Sequence, residues 1–236
     1  MAKPTILVLR SLVFYLGYSL SLLLHATLSL LVGLFLPIRA RFRFVLLWNR
    51  FAIWWLKVTC HVNYTISGLE NIPPGPFVVL SNHQSPWETI ILYTLFIPIC
   101  ATLKRELLRI PFFGWAIAII KPIAIDRSRA TAARRTLLNQ GRQRLAEGLS
   151  VLVFPEGTRV AVGSHKKFTA SGAELAIANK VPVLPVAHNA GLYWPPHQLV
   201  KKPGTIHVRI GKPLASEGRS PRELTAQVED WIRNAV

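Results

Sequence analysis

Three short stretches of this chain hold side chains that can do chemistry. In Ser81-Asn82-His83-Gln84-Ser85-Pro86-Trp87-Glu88 a histidine stands five residues before a glutamate. If Pro86 opens a helix, the loop can fold so that Glu88 reaches His83. A carboxylate on one imidazole nitrogen fixes the tautomer and makes the other nitrogen a stronger base. This is a Ser-His-Asp arrangement without its serine. It suits deprotonation of a hydroxyl carried by a substrate, although H-x4-E alone is also a common structural pairing.

The second stretch is Phe154-Pro155-Glu156-Gly157-Thr158-Arg159. Gly157 permits close backbone approach, Thr158 offers a hydroxyl, and Arg159 offers a planar fork for a phosphate. Glu156 either orients Arg159 or binds a substrate hydroxyl. The plain alternative is a turn with an ion pair. The third stretch runs Lys104-Arg105-Glu106-Leu107-Leu108-Arg109-Ile110-Pro111-Phe112-Phe113-Gly114-Trp115. Its bases face an anion or solvent, and its Pro-Phe-Phe-Gly-Trp is apolar enough for a lipid boundary or a buried helix.

These residues need elements to position them. His61–Ser67 alternates as a half-buried strand, and Phe77–Leu80 reads as a buried strand ending at the His83 loop. Trp87–Phe96 reads as a helix. Ile99–Leu103, Ile123–Ile125, Val151–Phe154, Val183–Ala187 and Thr205–Ile210 read as strands. Residues 129–147, Ala170–Asn179 and Pro221–Asn234 read as helices, the last with Ser220 as N-cap and Pro221 at the first helical position. This order predicts an α/β domain with a mixed, substantially parallel sheet flanked by helices. Its active residues are expected on loops beyond strand ends.

Ahead of that domain, residues 11–36 are 26 uncharged positions rich in leucine, and Arg10 is the one charge between Ile6 and Leu36. As a helix, Ile6–Leu36 would be about 46 Å long, beyond the ~30 Å hydrocarbon core. A tilted span or a shallow hairpin of two short helices fits, with Gly17 and Gly33 as bend points. His25, inside the run, reads as satisfying a helix carbonyl or snorkelling. Residues 42–58 read as a second helix, with Arg43, Arg50 and Lys57 on one face and Trp48, Trp54 and Trp55 at the headgroup layer. The expected division is membrane-anchoring helices at 1–60 and a catalytic domain at 61–236.

The composition agrees. Of 236 residues 51% are hydrophobic, and 28 bases against 11 acids give a net charge of +17; mean hydropathy is +0.34. A disordered chain is excluded. The first sixty residues hold seven bases and no acid. Such charge interleaved with apolar sequence favours an anionic membrane surface over nucleic acid. The positive-inside rule places the rest of the chain in the cytoplasm. Two cysteines without a CxxC, and histidines without ligand spacing, give no metal site.

Together the stretches resemble the 1-acyl-sn-glycerol-3-phosphate acyltransferase family of glycerolipid acyltransferases. Its N-H-x4-D block is similar to Asn82-His83…Glu88, with Glu88 in the usual Asp place. Its second block resembles Lys104-Arg105-Glu106-Leu107…Pro111-Phe112-Phe113-Gly114. F-P-E-G-T-R is matched in full at Phe154–Arg159, and V-P-V-x-P at Val181-Pro182-Val183-Leu184-Pro185. Many members then carry a Phe-Lys-x-Gly run; here Lys166 and Lys167 precede Phe168 instead.

The resemblance implies transfer of an acyl group from acyl-CoA or acyl-carrier protein to the sn-2 hydroxyl of lysophosphatidic acid, giving phosphatidic acid. It implies His83 as general base and Glu88 as the residue that orients it, without an acyl-enzyme. Asn82, Lys104, Arg105, Glu156, Gly157, Thr158 and Arg159 would hold substrate, and no metal or cofactor is called for. The expected partners are the lyso-lipid, the acyl donor and anionic membrane lipids, with no nucleic acid. The expected location is an inner or cytoplasmic membrane, with the catalytic domain facing the cytoplasm. An arginine cluster (Arg127, Arg129, Arg134, Arg135, Arg142, Arg144) could dock an acidic carrier protein or anionic lipid. The alternatives are another lysophospholipid or lyso-amino lipid as acceptor and, further off, a non-enzymatic basic membrane-binding protein.

Overall fold

The computed structural model describes residues 3–235; Met1, Ala2 and Val236, the outer ends of the two expected segments, lie outside it. Seven strands form one sheet in the order β1-β7-β6-β2-β5-β3-β4. They are β1 (Val62–Ser67), β2 (Val78–Ser81), β3 (Ile99–Lys104), β4 (Ile123–Ile125), β5 (Ser150–Val153), β6 (Val183–His188) and β7 (Gly204–Ile210). Five adjacent strands, β6-β2-β5-β3-β4, run parallel. β7 pairs antiparallel with β6 and carries β1 parallel to itself at the edge. The expected mixed, substantially parallel α/β sheet is what forms.

The central strands are apolar without alternation, since helices cover both faces of a parallel sheet. β2, β5 and β6 are buried at every position. α6 (Ala130–Ala146), α7 (Ser171–Ala178) and α8 (Pro221–Ala235) pack side by side as one group. The other group is α1 (Pro4–Gly33), α3 (Leu47–Cys60), α4 (Trp87–Leu95) and α5 (Phe113–Ala118). At the head of α8, Ser220 Oγ accepts the Glu223 N–H and Glu223 Oε2 accepts the Ser220 N–H, at 3.3 and 3.1 Å. That reciprocal pair is a capping box, beside Pro221 at the first helical position.

The N-terminal region decides one expected alternative and departs from expectation in two further ways. α1 is one continuous 30-residue helix, so the single long helix forms rather than two short ones; Gly17 lies inside it and Gly33 ends it. Gly17 is a point of close approach: a Cβ there would fall 2.4 Å from the Trp55 indole nitrogen. The expected helix at 42–58 starts earlier and breaks at Leu46, leaving α2 (Ile38–Val45) and α3. Trp48 and Trp55 are tied to α1. Trp48 is buried and donates its indole N–H to Ser21 Oγ (3.1 Å), and Trp55 donates to the Phe14 carbonyl (3.1 Å). Trp54 is the exposed indole of the three, on a helix that also exposes Arg50 and Lys57.

The core does not part at residue 60. Phe14, Phe42, Leu56 and Cys60 belong to the same buried cluster as Val79, Leu152 and Leu184 of the sheet. α1 is fastened along its inner face. Ser11 Oγ accepts the Lys201 N–H at 2.9 Å, and Gly33 abuts Ile119. Its outer face presents Leu9, Leu16, Leu20, Leu24 and Leu31, each more than 60% exposed. By length and composition α1 could cross a membrane.

Candidate active site

Parallel strands deliver their carboxyl ends to one edge of a sheet, and each of the five contributes here. Across the sheet these are His188 at the end of β6, Asn82 and His83 after β2, and Phe154 to Arg159 after β5. Lys104 ends β3, and Arg127 follows β4.

His83 Nδ1 lies 2.6 Å from Glu88 Oε1. Both side chains are buried. A carboxylate can only accept, so Nδ1 donates and Nε2 keeps its lone pair. Pro86 leads into α4 as expected, which brings Glu88 into the first helical turn. There Oε1 also accepts the Gln84 and Ser85 N–H groups, at 3.1 and 2.9 Å. Three donors thus converge on this one oxygen. Phe154 stacks on the His83 ring with centroids 4.1 Å apart and planes at 15°, so Glu88 sets the ring's tautomer and Phe154 its plane.

Burial pushes the His83 pKa down, against an upward pull from Glu88, and the net direction is down. Burial would raise Glu88, but the His188 and His83 imidazoles and the Ser85 amide outweigh it and hold the carboxyl ionised. The dyad is thus a neutral imidazole on a carboxylate, the resting state a general base needs.

The remaining expected residues separate into those the structure gathers and those it does not. Asn82 is gathered as a brace. Its side chain donates to the His188 carbonyl (2.8 Å) and accepts the His188 N–H (3.1 Å). Glu156 does not pair with Arg159 among the described residues. Its Oε2 accepts the His83 N–H at 2.7 Å, and burial pushes its carboxyl up to about 7. Gly157 takes φ 71°, the left-handed turn that glycine adopts without strain. Lys104 and Arg159 line a cavity that opens onto His83. Arg105 and Thr158 do not line it: Arg105 lies 3.3 Å from Asp126, and Thr158 is exposed.

The cavity measures about 290 Å³ and runs from His83 between α1, α4 and α5. Its walls are mostly apolar, including Leu22, Ile90, Leu103, Ala116 and Ile120. His25, deep in the wall, places Nε2 3.0 Å from the Phe44 carbonyl, a helix carbonyl as expected. Neither cysteine lines the cavity, and burial raises both thiols, Cys100 to about 12.

Two site residues stand outside the sets that the sequence assigns to the base and to substrate binding, although His188 follows the fourth block closely enough to approach the site. Arg127 sits at the mouth with Arg159 and Lys104. Partial desolvation and then the Arg159 guanidinium push its pKa down, a repulsion that an anion between the two would relieve. Within the expected six-arginine cluster, Arg127 lines the cavity, Arg134 pairs with Glu174 and Arg144 with Glu147. His188 is fully buried. Its Nε2 lies 2.9 Å from the Asn82 carbonyl and 3.9 Å from Glu88 Oε2. Its place just after the V-P-V-x-P block was its one sequence signal.

Comparison with known proteins decides the lineage. The acyltransferase family model matches residues 63–189, the span from β1 through the end of β6. The chain belongs to the acyltransferase family. It is 50% identical over 236 residues to the 1-acyl-sn-glycerol-3-phosphate acyltransferase of Pseudomonas aeruginosa, covering 98% of this chain and 92% of that one. It is 32% identical to the Saccharomyces cerevisiae protein of the same name, over 69% of this chain and 55% of that one. Its fold superposes on the crystal structure of the 1-acyl-sn-glycerophosphate (LPA) acyltransferase PlsC from Thermotoga maritima with a TM-score of 0.81. That pair shares 25% identity, over 96% of this chain and 93% of that one. This acyltransferase thus keeps the family fold along its length, with His83 and Glu88 packed inside it.

Proposed function

We propose that this acyltransferase moves a fatty acyl group from a thioester donor, acyl-CoA or acyl-carrier protein, to the sn-2 hydroxyl of lysophosphatidic acid, giving phosphatidic acid. The carrying observation is the buried His83–Glu88 pair at the head of an apolar cavity whose mouth holds Lys104, Arg127 and Arg159. The cavity takes an acyl chain, and the three cations take the acceptor's phosphate.

His83 Nε2 removes the proton from the acceptor hydroxyl as its oxygen attacks the thioester carbonyl. The tetrahedral intermediate collapses, the carbon–sulfur bond breaks, and the thiolate leaves with the proton from the imidazolium. Glu88 stabilises that imidazolium and stays ionised. Transfer is direct, since the base acts on a substrate hydroxyl and both cysteines are held as thiols away from the cavity. No cofactor or metal takes part.

The enzyme works at an inner or cytoplasmic membrane. α1 is attached to the catalytic body from Ser11 to Gly33, a length of roughly 33 Å. A helix flanked so far by a folded domain lies along the membrane surface, with its leucine stripe in one leaflet, rather than threading through it. Arg39, Arg41, Arg43 and Arg50 favour the anionic cytoplasmic face.

The test is purified protein with lysophosphatidate and each donor. Phosphatidate is expected, and little product from phosphate-free acceptors. Comparable rates with such acceptors would move the reading to a different lyso-lipid, the alternative that the displaced Lys166-Lys167 pair supports.

A further inference from the structure

A second cavity, about 800 Å³, opens on the far side of Phe154. It shares Thr102, Arg127 and Phe154 with the acyl cavity, so the two meet beside His83. Its walls come from the start of α6, the segment before α7 and the start of α8, and they bring in Arg134, Lys166 and Arg222. Arg134 is bridged by Glu174. Lys166 and Arg222 are exposed and form no ion pair among the described residues. The groove therefore holds more cations than anions, with Glu174 on Arg134 and Glu156 within electrostatic reach of Lys166, and the proposed handling of the acceptor leaves it unused.

We propose that this groove holds the phosphorylated end of the acyl donor's phosphopantetheine arm, with Lys166 and Arg222 on the phosphate. The inference rests on the reading of the chain as a thioester-dependent acyltransferase. A thioester donor is linear: apolar chain, thioester, amide arm, phosphate. The protein shows the same order of environments: apolar cavity, junction at His83 and Phe154, cationic groove. A donor threaded in that order sets its thioester carbon beside the base that activates the acceptor.

The acceptor does not fit the groove equally well. Glycerol separates hydroxyl from phosphate by a few bonds, so the acceptor's phosphate must stay close to His83. Arg159 and Arg127 lie near enough for their charges to act on His83. The pantetheine arm is long, and its phosphate falls farther off, beyond Phe154.

The test uses Lys166→Glu, Arg222→Glu and the double variant of the full chain, with folding checked by thermal melting. Acyl-CoA, acyl-phosphopantetheine and acyl-pantetheine serve as donors. The double variant is expected to raise KM at least tenfold for the two phosphorylated donors, and less than twofold for acyl-pantetheine and lysophosphatidate. An unmoved donor KM, an equal rise with acyl-pantetheine, or a shift carried by lysophosphatidate instead would each overturn the proposal. Acyl-carrier protein shares the phosphopantetheine group. The same variants assayed with it and with acyl-CoA show which donor brings the phosphate, and a rise with the carrier protein supports the site only beside the tenfold rise with acyl-phosphopantetheine; a rise with the carrier protein alone overturns it. Wild-type protein inactive with every thioester would defeat the acyltransferase reading itself, whereas active wild type with unmoved variants defeats the groove alone.

Discussion

The loop from Asn82 to Glu88 and the basic mouth facing it are built on opposite plans. In the loop, Glu88 Oε1 accepts three donors, Glu156 holds the His83 amide, and Asn82 is tied to His188 by its side chain and its carbonyl. At the mouth, Lys104, Arg127 and Arg159 converge from three strand ends with no carboxylate bridging them among the described residues. A reacting base must be held before substrate arrives, because misplacement costs rate. A phosphate clamp gains from cations left unpaired until the anion supplies the missing charge. The first region should therefore control turnover, and the second should control acceptor binding.

The largest expected effect breaks the loop. His83→Ala should lower kcat by about a thousandfold or more, with thermal melting unchanged to within a few degrees. Glu88→Gln should lower it by about a hundredfold, since it loses the charge that stabilises the imidazolium. Initial rates at saturating acceptor and donor check both. Next, Arg159→Ala and Lys104→Ala should raise KM for lysophosphatidate roughly 10- to 100-fold, the worth of a charge-assisted hydrogen bond, with a smaller change in kcat. Arg105→Ala should change neither by more than about twofold, because Arg105 faces Asp126. Equal effects from Arg105 and Arg159 would erase the contrast.

A third expectation concerns pH. The base must be neutral, and burial lowers its pKa. The acid limb of kcat/KM should have its midpoint below the ordinary imidazole value of about 6.5, with full activity above it. His188 is shifted the same way by burial. Below about 6.5 these two histidines bind more protons in the unfolded chain, so their share of stability falls as pH drops from there towards their lowered values, while Glu156, raised to about 7, acts in the opposite sense. Melting curves across the same pH range separate loss of structure from loss of the base. A milder effect than at His83 or Glu88 is expected at Glu156. With its carboxyl near 7, the neutral form is well populated at working pH. Glu156→Gln keeps an oxygen for the His83 amide and should stay within about threefold of wild type, whereas Glu156→Ala strands a buried N–H and should lose about tenfold.

The two regions also differ in how plainly the sequence showed them. The dyad spans six residues, so a proline turn sufficed to read it. The capping box at Ser220 and Glu223 is local in the same way. Arg127 was grouped with the α6 arginines because nothing local says that β4 ends at the cavity's mouth. Lys104 and Arg105 are neighbours in one motif, yet β3 ends between them and the turn sends Arg105 to Asp126. Composition identified the apolar N-terminus but not how it sits. The burial of Trp48 depends on Ser21, 27 residues away, and the close approach of α1 and α3 at Gly17 on the Trp55 indole that fills the space beside it.

The central claim is that the His83–Glu88 base acts on the acceptor's hydroxyl, so that acyl transfer is direct. Intact-mass spectrometry of the wild-type protein, quenched after incubation with acyl donor and no acceptor, tests it most directly. The account predicts unmodified protein at every time point. An acyl adduct that forms within a turnover and is discharged by added lysophosphatidate would contradict it.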